Sequence, residues 1–393
     1  MSKPTAIDLF CGAGGLSLGL SKAGFDVRLA ADNDPWAVAT YRRNLGDHVV
    51  QCDLSALSAR ELLRRAGLRR SECDLLAGGP PCQGFSVQRR GSDEDPRNAM
   101  VLQFLRYIEG VRPRFFLMEN VGGLMAKRGA KVLASIRQEA EQIGYATHLT
   151  KLDTVNFGVP QFRVRVILVG ERLDDGVESL YRIPNSTTPS EDVWRTVREA
   201  IRDLPSPPAD GSSHPAIPNH AREARLSSLN LERLKHIPPG GGREHLPLHL
   251  QLPCHRNNPK HRHLNVYRRL AWDRPAGTVT ARFDSFTRGR FGHPEDHRSV
   301  TLREGARLQT FPDSFVFEGN REEAAKQIGN AVPPLFGEQL GKSILRALKA
   351  RSRRCSTNSV SQMPANSRQM GLPFLGEGAA CHVTRTAERR SDR

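Results

Sequence analysis

The stretch GGPPCQGFS (78–86) sets a single cysteine, Cys82, behind two prolines and between glycines. Proline fixes φ and glycine permits close backbone approach, so this thiol is held at a set place on a turn. A thiolate there is a soft, strong nucleophile. The chain has seven cysteines, an odd number with no CxxC, which indicates neither a disulfide framework nor a zinc ribbon. Glu119, in MENV, closes a later apolar run. Beside a nucleophile, such a carboxyl is a candidate general acid. Read singly, the cysteine is a small core residue and the glutamate a helix cap. DLFCGAGGLSLG (8–19) has the form of a strand, a glycine turn and a helix start. Gly12 and Gly14 would let the backbone approach a ligand at a helix N-terminus, which favours polar or anionic groups. Ser17 stands where a dinucleotide fingerprint has its third glycine, so a purely structural turn stays open. Asp32, about 20 residues further on, is placed to accept from ribose hydroxyls, and Asp53 ends the third strand in the same way. Three successive strand ends of this kind favour a nucleoside cofactor.

Positioning these groups on one edge takes a sheet. Strands are expected over TAIDLF (5–10), VRLAAD (27–32), HVVQCD (48–53), CDLLAGG (73–79), RFFLMEN (114–120), GYATHLTKLD (144–153) and RVRVILVG (163–170). Helical patterns such as PWAVATYRRNL (35–45) and AMVLQFLRYIEGV (99–111) lie between them. The alternation predicts an α/β fold with a doubly wound, mostly parallel sheet, whose ligands bind beyond the carboxyl ends of the strands. In QFRVR, Arg163 and Arg165 fall on one strand face by alternation, which favours a joint role over plain surface basicity.

From Pro184 to about His263 the chain turns rich in Pro, Gly, Ser and His, with weaker helical patterns over 191–204 and 226–237. We expect a catalytic domain over 1–183, a smaller irregular domain over 184–320, a segment 321–350 that returns to the first domain, and a disordered basic tail over 351–393. Helices are expected over 301–311 and 334–350. CHRNNPKHRH (254–263) has no carboxylate or second cysteine at ligand spacing, so it reads as a phosphate-facing loop rather than a metal site. With 58 Lys and Arg against 42 Asp and Glu, the net charge of +16 calls for a polyanionic partner, nucleic acid first. The N-terminus has no signal-peptide core and no 18-residue apolar run occurs, which implies a cytoplasmic protein without a membrane span.

DLFCGAGG, GGPPCQGFS, MENV, QFRVR and QIGNAVPP, in this order, resemble the motifs of the cytosine-5 DNA methyltransferases. DPRN (95–98) and HPEDHRSVTLREGARLQTFPDSFVF (293–317) extend the likeness, which covers roughly 1–183 and 265–345 and is strongest toward bacterial restriction–modification or Dcm-type members. The resemblance implies a Rossmann-like methyltransferase domain with a smaller target-recognition domain. It implies S-adenosyl-L-methionine as the methyl donor, with no metal. Phe10, Gly12, Gly14, Asp32, Asn33, Asp53, Asn330 and Val332 would line its site, Asp32 standing where the family more often has Glu. Cys82 would add to carbon 6 of a cytosine flipped out of duplex DNA, with Glu119 at ring N3. Arg163 and Arg165 would hold the base and its phosphate, Arg97 would support the nucleophile loop, and Gln83 to Arg97 would close over the base. The partner would be duplex DNA, bound by a monomer, with a cognate restriction endonuclease encoded separately. A tRNA cytosine-5 methyltransferase is the alternative within the family, though its CFT motif is absent. A catalytically inactive DNA-binding homologue is the other.

Overall fold

The structure is a computed structural model and describes residues 2–81, 99–126, 129–173, 178–223, 226–256 and 265–361. Cys82, Arg97 and the expected closing loop lie outside the described residues, as do part of 254–263 and the chain beyond 361. Seven strands form one sheet: β1 (Thr5–Leu9), β2 (Asp26–Asp32), β3 (Val49–Gln51), β4 (Leu75–Gly78), β5 (Phe115–Val121), β6 (Tyr145–Asp153) and β7 (Val164–Arg172). Their order is β3-β2-β1-β4-β5-β7-β6. The first five strands run parallel, whereas β7 is antiparallel to both β5 and β6. All seven expected strands form, with ends shifted by a few residues at most. Strand order reverses at β1, so the ends of β1, β2, β4 and β5 border one crevice, the place where open α/β sheets bind ligands.

Strand alternation divides the apolar side chains between two layers. On one face Ile7, Leu9, Leu76, Phe116 and Met118 pack with α3 (Ala59–Ala66), α4 (Ala99–Val111) and α5 (Gly129–Gln142). On the other, Ala6, Leu75, Phe115 and Leu117 pack with α1 (Gly15–Ala23) and the last helix. α2 (Pro35–Leu45) starts on Asp34, which accepts from the Trp36 and Ala37 N–H groups, with Pro35 at the first helical position.

Beyond the sheet come α6 (Val197–Ile201), α7 (Ser228–His236), α8 (Pro253–Arg256), α9 (Leu302–Leu308), α10 (Arg321–Asn330) and α11 (Pro334–Ser361). The helix expected over 191–204 is a short 3-10 turn followed by α6, because a capping box between Thr196 and Glu199 starts the helix afresh. α11 runs eleven residues past the expected end at 350, through a stretch of Ser and Arg that contains neither Gly nor Pro. Residues 1–350 form one compact unit, and the expected boundaries at 183/184 and 320/321 fall inside it. Ala13, from the glycine turn, shares a core with Val197, Phe283, Ala306, Phe311 and Ile328, while Leu234, Ile237, Leu246, Leu250 and Phe286 form a small core of their own.

α1 and α11 cross with almost no gap. A Cβ on Gly19 would sit 2.5 Å from the Pro334 carbonyl oxygen and 2.7 Å from the Glu338 nitrogen. Both are backbone atoms and cannot swing aside. Gly19→Ala is therefore expected to lower stability by about 1–3 kcal/mol, the usual cost of overpacking, despite alanine's better helix propensity. Denaturant melts of the two proteins check this, and equal midpoints would refute it.

Candidate active site

The ends of β1, β2, β4 and β5 surround a cavity of about 360 Å³, closed on its far side by residues 326–332. Phe10 and Gly12 follow β1 with φ of +56° and +54°. Gly12 takes this left-handed conformation without steric cost, whereas Phe10 adopts it against the clash of its Cβ. The Gly12 N–H donates to Asp32 Oδ2 at 2.8 Å, and the Asp34 N–H donates to Asp32 Oδ1 at 2.9 Å. Asp32 thus ties the β1 and β2 ends into one wall. Burial pushes its carboxyl above the usual range, against the pull of those N–H bonds. Gly14, at the N-cap of α1, has no side chain to cap the first turn, where the Ser17 backbone and hydroxyl turn toward the Asp8 carboxyl. The helix N-terminus leaves a polar, partly positive end beside Gly12 and Ala13, both of which line the cavity.

Across the cavity, β5 presents Glu119. Its Oε1 receives the Arg165 Nε at 2.8 Å, and both side chains are 11% exposed. Gly79 leaves the carboxylate room, since a Cβ there would lie 3.3 Å from Glu119 Oε2. Asn120 Nδ2 donates to the Pro80 carbonyl at 3.0 Å and fastens the GGPP segment to β5. Pro81, the chain neighbour of Cys82, lines the same cavity as Glu119 and Arg165. The arrangement can hold a carboxyl–guanidinium pair against a planar, polar ring, out of bulk water.

Most expected residues meet here. Phe10, Gly12, Asp32, Asn33, Glu119, Arg163, Arg165, Asn330 and Val332 all border the cavity. Gly14 and Asp53 are placed elsewhere. Gly14 has φ +92° and packs on Tyr41 and Leu45, so it serves the turn and not the cavity wall. Asp53 is exposed, and its Oδ1 accepts from the Ser55 N–H at 2.8 Å. Arg163 is 2% exposed; its two Nη atoms donate to backbone carbonyls, while its Nε is buried without a hydrogen-bond partner. Sequence reasoning passed over Asp8, Asn120, Lys326 and Gln327, which also border the cavity. The sign of Asp8 was present: a charged residue in the middle of an apolar strand. Lys326 gave no sign, because its partner Asp34, at 2.7 Å, is 292 residues away. Among the described residues no group of three or more His, Cys, Asp or Glu could hold a metal ion, and no helix is long and apolar enough to cross a membrane.

Asp8 is 1% exposed. Its Oδ2 accepts from Ser17 Oγ at 2.6 Å, while Oδ1 is buried without a partner. Burial, helped by the nearby Asp32 carboxylate and opposed by the Ser17 bond, pushes its pKa from 3.8 to about 7. The folded protein then keeps a proton that the unfolded chain has already lost between those values. Stability must fall as pH rises through that window and level off above about 7. The slope from this one group is at most about 1.4 kcal/mol per pH unit. Asp8→Asn is expected to flatten it, as read by denaturant melts at pH 5, 6, 7 and 8. Parallel profiles would refute the assignment.

A sequence profile described as C-5 cytosine-specific DNA methylase matches residues 5–346. The Type II methyltransferase M1.HphI of Haemophilus parahaemolyticus is 37% identical over 346 residues, spanning 87% of each chain. The Type II methylase M.HgiDII of Herpetosiphon aurantiacus is 35% identical over 352 residues, spanning 87% of this chain and 95% of its own. Among solved structures, an E. coli prophage protein described as a DNA modification methyltransferase superposes with a TM-score of 0.66 at 26% identity, covering 88% of this chain and 99% of the other. The S. pombe Dnmt2 methyltransferase, at 18% identity and TM-score 0.54 over 88% and 100%, shares the fold alone.

Proposed function

The chain belongs to the C-5 cytosine-specific DNA methylase family and is a DNA cytosine-5 methyltransferase; on that premise we propose that the cavity at the β1, β2, β4 and β5 ends holds both the methyl donor and a cytosine flipped out of duplex DNA. The observation that carries this reading is the shared cavity: the glycine turn lies on one side and the Glu119–Arg165 pair on the other, with Pro81 between. Family membership implies methyl transfer from S-adenosyl-L-methionine. Phe10, Gly12, Asp32, Asn33, Asn330 and Val332 are the residues placed to hold it, and Asp8 and the α1 N-terminus suit a polar, charged end. Bound there, the sulfonium cofactor supplies an electrophilic methyl group.

Carbon 5 of cytosine is too weak a nucleophile to take that methyl unaided. Addition of the Cys82 thiolate to carbon 6, with Glu119 giving a proton or hydrogen bond to ring N3, makes carbon 5 enamine-like. Carbon 5 then accepts the methyl group. Loss of its proton and departure of the thiolate restore the aromatic ring. Arg165 keeps Glu119 aimed and adds a charge-assisted donor at the base. Residues 184–320 would grip phosphates and read base edges, and flipping the base costs a few kcal/mol that these contacts must offset. The relatives named as Type II enzymes favour the modification half of a restriction–modification system, with the endonuclease on a separate chain. Transfer of labelled methyl from S-adenosylmethionine is expected on duplex DNA and not on tRNA. The reverse preference would overturn the DNA assignment. Bisulfite sequencing of DNA from a methylase-free host then gives the site.

A further inference from the structure

Arg163 is among the largest fully buried side chains of the protein, and it touches two stretches of backbone that the sequence keeps far apart. Its Nη1 donates to the Val279 carbonyl at 2.9 Å. Its Nη2 donates to the Gly329 carbonyl at 3.0 Å and to the Ala331 carbonyl at 2.9 Å. The two backbones so joined are already in tight contact. A Cβ on Gly329 would overlap the Thr280 carbonyl and the Ala281 nitrogen, and one on Gly15 would overlap the Val332 carbonyl oxygen. The segment 329–332 is thus wedged between the start of α1 and the Arg163 fork.

Two glutamines complete the strap. Gln161 Oε1 accepts from the Val279 N–H at 3.0 Å, and its Nε2 donates to the Leu308 carbonyl at 3.0 Å and to Gln309 Oε1 at 2.6 Å. Gln309 Nε2 in turn donates to the Ile328 carbonyl at 2.5 Å. Gln161 and Gln309 are both fully buried. Two positions after Arg163, Arg165 leaves this strap and pairs with Glu119 in the cavity.

The geometry points to Arg163 as a positioning residue for the cofactor wall, not a holder of the target base or its phosphate: its fork, with Gln161 and Gln309, fixes segment 329–332, and hence Asn330 and Val332, to the strand entrance that carries Arg165. This rests on the functional reading above, in which Asn330 and Val332 border the methyl-donor site. A planar guanidinium suits the task because it aims several donors at once in fixed directions, toward carbonyls on two segments. A lysine keeps the charge but cannot reproduce that fork.

Isothermal titration of S-adenosylmethionine into the protein without DNA tests the assignment, alongside binding of a duplex that carries the methylation site. For Arg163→Lys the cofactor Kd is expected to rise about tenfold or more, the loss of at least one strong bond, while duplex affinity holds. Gln309→Met, which removes the bonds to Ile328 and Gln161 and the long one of 3.5 Å to the Ala331 carbonyl, is expected to shift the cofactor Kd in the same direction by about threefold. It provides the test should Arg163→Lys fail to fold. Cofactor affinity unchanged in a folded Arg163→Lys protein, or duplex affinity lost with cofactor affinity intact, overturns the inference. A wild-type protein that does not bind S-adenosylmethionine would instead sink the functional reading itself.

Discussion

Cys82→Ala is expected to slow methyl transfer to duplex DNA by at least about 10⁴-fold, the scale seen when a covalent nucleophile is removed. The size follows from the chemistry of the ring. Without addition at carbon 6, carbon 5 has no enamine character and cannot displace a methyl group from sulfur. Cys11 borders the cavity, but its thiol cannot substitute. Burial, with the carboxylates of Asp32 and Asp8 nearby, pushes its pKa well up and keeps it protonated. The measurement is labelled-methyl incorporation, paired with a duplex carrying 5-fluorocytosine at the methylated position. Fluorine cannot leave as the proton does, so the wild-type chain should stay bonded to that DNA through denaturation and the Cys82→Ala chain should not. A fully active Cys82→Ala protein would refute the mechanism outright. A merely structural role for Cys82 would lower the melting temperature along with activity, so a thermal melt belongs beside the assay.

Glu119→Gln is expected to lower kcat by about 10²–10⁴-fold, the range for loss of a positioned acid. Glutamine matches the shape and still accepts hydrogen bonds from Arg165. It cannot give up a proton to ring N3, and it leaves the Arg165 charge nine-tenths buried without its partner at 2.8 Å. Glu119 is carried on a central strand with neighbours on both sides, so the loss should fall on the chemical step and not on cofactor affinity. Single-turnover methyl transfer, with cofactor titration as control, separates the two. An unchanged single-turnover rate would remove Glu119 from the reaction. Arg163→Lys should give the opposite split, weak cofactor binding with Glu119 still in place. The two variants together thus assign the two walls of the cavity.

Much of this was legible in the residues. β1 to β7 announced themselves as short apolar runs closed by Gly, Asp or Asn, because a buried strand needs little more than side chains that suit both faces. The starts of α2 and α9 rest on Asp34–Pro35 and Thr301–Glu304, since capping is a matter of three or four adjacent residues. The same locality explains the misread helix at 191–204. A pattern of apolar spacing runs across Arg195 without recording that Thr196 caps a new turn.

The chain's residue types and their order determined by themselves an α/β sheet, a glycine turn at the end of its first strand, and the candidate pair of Glu119 with a held thiol. Only the tertiary structure decided which of these residues share a surface. Gly12 and Gly14 are equivalent as letters, yet one borders the cavity and the other fills the space beside Tyr41. Arg163 and Arg165 are two residues apart on one strand entrance, yet one is bound to carbonyls 116 to 168 positions away and the other to Glu119. The reason is physical: turns, caps and strand faces are set by neighbours within a few residues. The partner of a buried charge is whichever group the folded chain brings within 3 Å, and sequence spacing holds no record of that distance.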